Sequence, residues 1–219
     1  LIRLVQEDKV RALADLKKAH RLRPHMKQIW GTTVNLTIEA KQYAEAISLL
    51  IRMIEDDPKH KKSFSLLTAC IQEADDNALA INSYKKILEI KPDDAYITFN
   101  LGIAFKRQGE TGLAIDSFQA AIEINPHFAD AHYNLGIVLT NQGKFEDAIV
   151  AYNKALSIKP DYVAANNNLG IVLTNQGKFE DAIVSFKKVI NSKENLSAAY
   201  YNMGFAFAEQ GKLEKAIEA

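Results

Sequence analysis

The amino-acid sequence predicts an all-α protein, a solenoid of stacked helix pairs, and three repetitions with one common period carry that prediction. The five prolines, from Pro24 to Pro160, are spaced 34 residues apart. Eight of the ten glycines form two further series with that spacing, starting at Gly102 and at Gly109. The segment at 134–150, NLGIVLTNQGKFEDAIV, recurs letter for letter at 168–184. A fixed period of this length indicates a repeat architecture.

Each period reads as a helix, a turn and a second helix. In the repeat that starts at residue 129, Leu135 and Leu139 follow helical spacing and Gly143 interrupts the pattern. A second apolar stripe then runs to Pro160, which ends the helix because proline lacks an amide donor. We identify no strand pattern in the sequence.

One glycine series lies inside the first helices, where glycine costs about 1 kcal/mol relative to alanine. Its members are Gly102, Gly136, Gly170 and Gly204. We therefore expect the paired second helix to approach these positions closely. The small residues of the second helices, Ala114, Ala148 and Ala182, are expected to serve the same packing.

These motifs resemble the tetratricopeptide repeat (TPR) family, whose pattern is W-x2-L-G-x2-Y, then A-x3-F, then P. The pattern reads in one copy as Thr98, Leu101, Gly102, Phe105, Ala114, Phe118 and Pro126. The single tryptophan, Trp30, stands at the pattern's tryptophan position. The resemblance implies a right-handed solenoid of antiparallel helix pairs.

The repeat register predicts a single array over residues 1–219. Its parts are a partial repeat at 1–26, full repeats at 27–60, 61–94, 95–128, 129–162 and 163–196, and a partial repeat at 197–219. In the first two full repeats, Lys41 and Asp75 stand where the other repeats have the turn glycine. The chain starts at Leu1 and ends at Ala219 within a helical pattern, so we expect a piece of a longer protein.

The first helices of TPR arrays line a concave groove, so the resemblance implies a peptide-binding face on the first helices of repeats 95–219. Positions are numbered here by their place in the repeat, with Ala95 at place one. The candidate residues are Phe99, Tyr133, Asn167 and Tyr201 at place five; Asn100, Asn134, Asn168 and Asn202 at place six; and Ile103, Ile137, Ile171 and Phe205 at place nine.

The asparagine row at place six has two interpretations. It is similar to the asparagine ladder in the TPR region of O-linked N-acetylglucosamine transferase, which holds peptide backbones. An amide has two donors and an acceptor, which suits a peptide backbone whatever its side chains. The alternative is that the asparagines bridge neighbouring repeats and serve only the structure.

The resemblance implies a non-catalytic scaffold that binds a peptide segment of a partner protein. Two alternatives stay open. One is that the chain is the substrate-recruiting arm of a larger enzyme, such as a glycosyltransferase or sulfotransferase. The other is self-association through the terminal repeats. Solenoids normally end in polar capping repeats, and the terminal repeats here have apolar helix surfaces instead.

Composition excludes several other roles. With 27 basic and 27 acidic residues, the chain has no overall basic surface for nucleic acid. It contains no apolar run of membrane-spanning length, so we expect no membrane partner. The five histidines lack metal-ligand spacing, and we expect neither a metal nor a cofactor. The single cysteine, Cys70, suits a reducing compartment, which favours the cytoplasm.

Overall fold

The computed structural model describes residues 9, 11–16, 18, 19, 27–192 and 196–218, and their regular structure is entirely α-helical. The chain divides into two compact units, Leu1–Asp93 and Asp94–Ala219, each of which is taken by itself below. The helices recur in pairs with the predicted period, so the all-α fold of stacked helix pairs is confirmed. Within the described residues, no helix is both long and apolar enough to cross a bilayer.

After the described helical residues between 9 and 19, the first unit contains two full helix pairs with unusual turns. Its helices are α1 (Lys27–Glu39), α2 (Tyr43–Asp56), α3 (Lys61–Ala74) and α4 (Asn77–Ile90). Lys41 and Asp75 have backbone φ angles of 56° and 47°, in the left-handed region that glycine enters most easily. The Asp76 carboxylate then accepts the Leu79 amide at 2.9 Å and caps α4. Both helix pairs therefore form their turns without glycine.

The second unit contains four helix pairs. Its first helices are α5 (Ala95–Gln108), α7 (Ala129–Asn141), α9 (Val163–Asn175) and α11 (Leu196–Glu209). Its second helices are α6 (Thr111–Ile124), α8 (Phe145–Ile158), α10 (Phe179–Asn191) and α12 (Leu213–Glu218). Each first helix packs against the second helix that follows, and α6, α8 and α10 also pack against the next first helix.

Glycine and an aromatic ring meet at the centre of the helix pairs in this unit. A Cβ built on Gly136 would lie 2.6 Å from Cε1 of Tyr152, and one on Gly170 would lie 2.5 Å from Cε1 of Phe186. Gly102 faces Phe118 in the same way. The three rings are at most 1% exposed. The expected close approach of the paired helix is confirmed at these glycines.

Polar side chains join successive turns of the unit. Nε2 of Gln176 donates to the carboxylate of Glu146 at 2.5 Å, and Gln210 donates to Glu180 in the next repeat. Both pairs are 30 residues apart and link the turn of one repeat to the second helix of the repeat before it. These bonds connect successive repeats at the ends of the first helices.

Candidate functional site

The candidate residues of α5, α7, α9 and α11 differ in exposure along the second unit. At place nine, Ile103 and Ile137 are half-buried, whereas Ile171 is 36% and Phe205 is 48% exposed. At place five, Tyr201 is 75% exposed, and the other three members, Phe99, Tyr133 and Asn167, are half-buried. Among the candidate residues, the exposed apolar side chains therefore lie on α9 and α11.

The first two asparagines of the row are buried and bonded within the protein. Nδ2 of Asn100 donates to the carbonyl of Tyr96 at 2.9 Å, and Nδ2 of Asn134 donates to the carbonyl of Asp130 at 2.9 Å. Oδ1 of Asn134 accepts from Nζ of Lys106 at 2.7 Å. Burial, followed by the charge of Arg107, lowers the pKa of Lys106. Asn134 therefore joins two successive first helices.

The last two asparagines, Asn168 and Asn202, are half-buried and connect neighbouring repeats directly. Nδ2 of Asn168 donates to the Tyr133 hydroxyl at 3.2 Å, and Nδ2 of Asn202 donates to Oδ1 of Asn167 at 3.1 Å. In both pairs, place six of one repeat bonds to place five of the repeat before it. These are bonds of the kind that the bridging interpretation predicts. Each amide has a second N–H, so bridging and ligand binding are compatible.

Two of the three aromatic residues at place five, Phe99 and Tyr133, pack against neighbouring aromatic rings. The centroid of the Phe99 ring lies 5.7 Å from that of Phe118 and 4.9 Å from that of Phe128. Tyr133 repeats the arrangement one period later, with Tyr152 at 6.0 Å and Tyr162 at 4.8 Å. Aromatic pairs at these distances stabilise the packing. Phe99 and Tyr133 thus pack beneath the surface that the first helices form, whereas Tyr201 is exposed on it.

Two recesses occupy equivalent positions between successive first helices. The recess between α7 and α9 has a volume of about 160 Å³, and the recess between α9 and α11 has about 240 Å³. The first recess, between α7 and α9, is lined by Ile137, Thr140, Asn141, Tyr152, Asn168 and Ile171. The second recess, between α9 and α11, is lined by the residues one repeat later: Ile171, Thr174, Asn175, Phe186, Asn202 and Phe205. The structure therefore brings place-six and place-nine candidates together.

The two recesses differ at their aromatic residue, which is Tyr152 in the first and Phe186 in the second, so the second lacks one hydroxyl group there. The Thr140 hydroxyl donates to the carbonyl of Gly136 at 2.8 Å, so it accepts the hydrogen of the Tyr152 hydroxyl, 3.2 Å away. In the other recess the Thr174 hydroxyl donates to the carbonyl of Gly170 at 2.9 Å, and Phe186 offers no hydroxyl. The second recess is consequently the more apolar one.

Sequence reasoning missed the threonines that line both recesses and the lysine that holds Asn134. Thr140, Thr174 and Lys106 all stand at place twelve. Their helical spacing from place nine would have put them on the same face, since residues three apart are neighbours on a helix. The bond from Lys106 to Asn134 joins residues 28 apart, which repeat counting alone does not reveal.

A larger cleft lies elsewhere in the second unit, between α6 and α8. It has a volume of about 1040 Å³, and α7 forms its floor. His132 lines it, is 7% exposed, and has Nε2 at 3.1 Å from the Pro126 carbonyl oxygen. Burial lowers the pKa of His132; the hydrogen bond to the Pro126 carbonyl opposes this shift in part, and the charge of Lys154 adds to it. His132 is therefore packed between helices.

The described residues contain no group of three or more His, Cys, Asp or Glu side chains arranged to hold a metal ion. Cys70 is a free thiol and is 2% exposed in α3. Burial, and then the charge of Glu73, raise the pKa of this thiol. Cys70 therefore belongs to the core of the first unit.

Comparison with known families identifies the repeats. Sequence profiles described as tetratricopeptide repeat match residues 6–70, 129–162 and 151–184, and a profile described as TPR repeat matches 74–109, 104–143 and 172–211. The chain belongs to the tetratricopeptide repeat family. No curated protein sequence matches this TPR chain significantly.

Solved structures with similar folds are TPR proteins. A crystal structure of MamA is 29% identical, with a TM-score of 0.63, and covers 75% of this chain and 96% of its own. MamA from residue 41 to the end, from Desulfovibrio magneticus RS-1, is 18% identical, with a TM-score of 0.66, over 72% of this chain and 89% of its own. YrrB, described as a TPR protein with an unusual peptide-binding site, is 18% identical, with a TM-score of 0.63, over 84% and 95%. Family and fold together support a protein-interaction scaffold.

Proposed function

We propose that this TPR chain is a non-catalytic scaffold whose second unit binds a peptide segment of a partner protein along the first helices. The observation that carries the proposal is the repeated pair of recesses on α7, α9 and α11, with exposed apolar side chains beside them. TPR proteins are generally non-catalytic scaffolds, and YrrB, which has a similar fold, is described as having a peptide-binding site. Both support the proposal.

The anchors of the proposed site are the exposed apolar side chains of the second recess. Ile171, Tyr201 and Phe205 are 36%, 75% and 48% exposed, and all three line that recess. Covering their exposed parts would contribute about 2–5 kcal/mol, at about 1.5–3 kcal/mol for complete burial of such a side chain. Millimolar binding corresponds to about 4 kcal/mol. These three contacts alone support weak binding, and hydrogen bonds to the peptide backbone add to it.

The amide donors of the half-buried asparagines are the proposed backbone contacts. Asn168 and Asn202 each use one N–H in the bond to the preceding repeat, which orients the amide at the edge of its recess. An extended peptide advances about 3.3 Å per residue, and first helices one repeat apart are separated by about 10 Å. One asparagine would therefore meet every third residue of the peptide. The full proposed site is the candidate set of places five, six and nine.

The test uses a displayed library of random peptides selected against the wild-type chain and two double variants. Tyr201→Ala/Phe205→Ala removes the anchors. Val150→Ala/Val184→Ala is the matched control, since these valines are 69% and 54% exposed on the second helices α8 and α10. We expect the wild type and the control to enrich the same peptides, and the anchor variant to lose them at unchanged helix content. Loss in the control alone, or enrichment by none of the proteins, would contradict the proposal.

The same selected peptides test whether the asparagines contact the ligand in addition to bridging repeats. Asn168→Ala and Asn202→Ala are assayed for peptide affinity and for the free energy of unfolding. Because both amides donate to the preceding repeat, each substitution should lower the free energy of unfolding by about 0.5–1.5 kcal/mol. Contact with the ligand also predicts a weaker peptide affinity of the folded variant, whereas bridging alone predicts an unchanged affinity.

A further inference from the structure

A row of exposed residues borders the recesses at place thirteen, near the end of each first helix. Its members, in order along the second unit, are Arg107, Asn141, Asn175 and Glu209. Asn141 lines the recess between α7 and α9, and Asn175 lines the recess between α9 and α11. The row is therefore cationic at one end, uncharged beside both recesses, and anionic at the other end.

The rest of the first helices follows the same order of charge. On α5, Lys106 precedes Arg107 at the cationic end. In α7 and α9 the only formally charged residue is Asp130, whose Oδ1 accepts the Tyr162 hydroxyl at 2.7 Å. In α11 the only charged residue is Glu209, which ends the helix.

The second helices of the same unit are unlike the first helices. The charged residues of α8 are Glu146, Asp147 and Lys154, and those of α10 are Glu180, Asp181, Lys187 and Lys188. The scarcity of charge beside the recesses is thus a property of the first-helix face and not of the repeat composition. A charged side chain placed in such a recess would lose water without gaining a partner.

We infer that the partner segment is an extended peptide with an uncharged centre, an acidic residue at the end over α5 and a basic residue at the end over α11. This inference rests on the proposed function and adds the charge pattern of the ligand and its orientation on the face. Three repeat steps of about 10 Å separate α5 from α11, which an extended chain spans in about nine residues. The central residues then meet the two recesses.

The end charges select the orientation of the peptide more than they strengthen its binding. An exposed ion pair contributes about 0.2–1 kcal/mol and weakens with salt. Glu110 and Lys212, in the adjoining turns, partly offset Arg107 and Glu209, although Nζ of Lys212 lies 3.9 Å from Glu180. Two attractive pairs replaced by two repulsive ones should change affinity about 3- to 10-fold at low ionic strength.

The test measures fluorescence anisotropy with three labelled peptides of about nine residues and blocked termini. All have the same centre of isoleucine, asparagine and threonine. One has aspartate first and lysine last, the second has the reverse order, and the third has uncharged ends. The proteins are the wild type, Arg107→Glu/Glu209→Arg, and the control Asp181→Lys/Lys188→Glu, which exchanges two charges on α10. Each exchange leaves the net charge unchanged.

We expect the wild type to prefer one of the two charged orders about 3- to 10-fold and the Arg107→Glu/Glu209→Arg protein to prefer the other. The α10 control should behave as the wild type, and added salt should remove the preference. The same preference in all proteins, or equal binding of both orders, would overturn the inference while peptide binding stands. If none of the three peptides binds but library-selected peptides do, the inference fails and the proposed function stands. If neither kind binds, both fail.

Discussion

Replacing Gly170 with alanine tests the packing that sets the distance between the helices of a pair. The added Cβ would lie 2.5, 2.7 and 2.9 Å from Cε1, Cζ and Cδ1 of Phe186. Carbon atoms in ordinary contact are about 3.5–4.0 Å apart, so the overlap is about 1 Å at three atoms. The ring is 1% exposed and cannot move into solvent. Helices α9 and α10 would have to separate, or the ring would have to leave its rotamer.

Two opposing effects set the magnitude. Overpacking of a buried site costs about 1–3 kcal/mol, and overlap with three ring atoms puts this substitution in the upper half of that range. Alanine gains about 1 kcal/mol over glycine inside a helix. We therefore expect Gly170→Ala to lower the free energy of unfolding by about 1–2 kcal/mol. Gly112→Ala is the matched control, because no atom lies within 4 Å of its added Cβ, and it should not destabilise.

The assay is urea unfolding followed by far-ultraviolet circular dichroism, in the wild type and in a Phe186→Leu background. Leucine has a shorter side chain than phenylalanine, so it leaves room for the new methyl group. Gly170→Ala should therefore destabilise the wild type but not the Phe186→Leu protein. A Gly170→Ala protein as stable as the wild type, or an equal loss in both backgrounds, would refute the reasoning.

Two further predictions concern a buried imidazole and a strained turn. Because burial lowers the pKa of His132, the folded chain favours the neutral ring, so its contribution to stability is complete above the unfolded pKa of about 6.5 and declines as pH falls below it. In urea titrations at several pH values, His132→Asn should remove that decline. A difference in the free energy of unfolding between wild type and variant that does not change with pH would contradict this prediction. Lys41 has a φ of 56°, so Lys41→Gly should raise stability by about 0.5–1 kcal/mol in thermal unfolding, whereas Gly177→Ala, at a φ of 72°, should lower it. A lower melting temperature for Lys41→Gly would count against the strain.

Much of the fold was predictable because each repeat carries its own local signals. Glycine and proline act on their own backbone, so Gly143 and Pro160 mark a turn and a helix end without reference to the rest of the chain. Counting by the period even located Lys41 and Asp75, which take the left-handed turn conformation that glycine has in the later repeats. The close approach at Gly170 was predictable from a different argument: glycine is costly inside a helix, and close packing of a neighbouring helix offsets that cost.

The candidate face was predictable only in outline. Helical spacing puts places five, six and nine on one side of a first helix, and the recesses join two of these places. Exposure was not predictable in this way. Phe99 and Tyr201 stand at the same place, yet Phe99 is half-buried among aromatic rings and Tyr201 is 75% exposed.

The sequence by itself determined the family, the helix pairs, the turns and the identity of the repeated side chains, because all of these depend on residues close together in the chain. Only the tertiary structure decided what each side chain does. Asn134 accepts a bond from Lys106, 28 residues away, and Asn168 donates to Tyr133, 35 residues away. Such bonds depend on how one repeat lies on the next. The physical reason is that a hydrogen bond needs two groups within about 3 Å, and a period gives the order of the groups but not their separation.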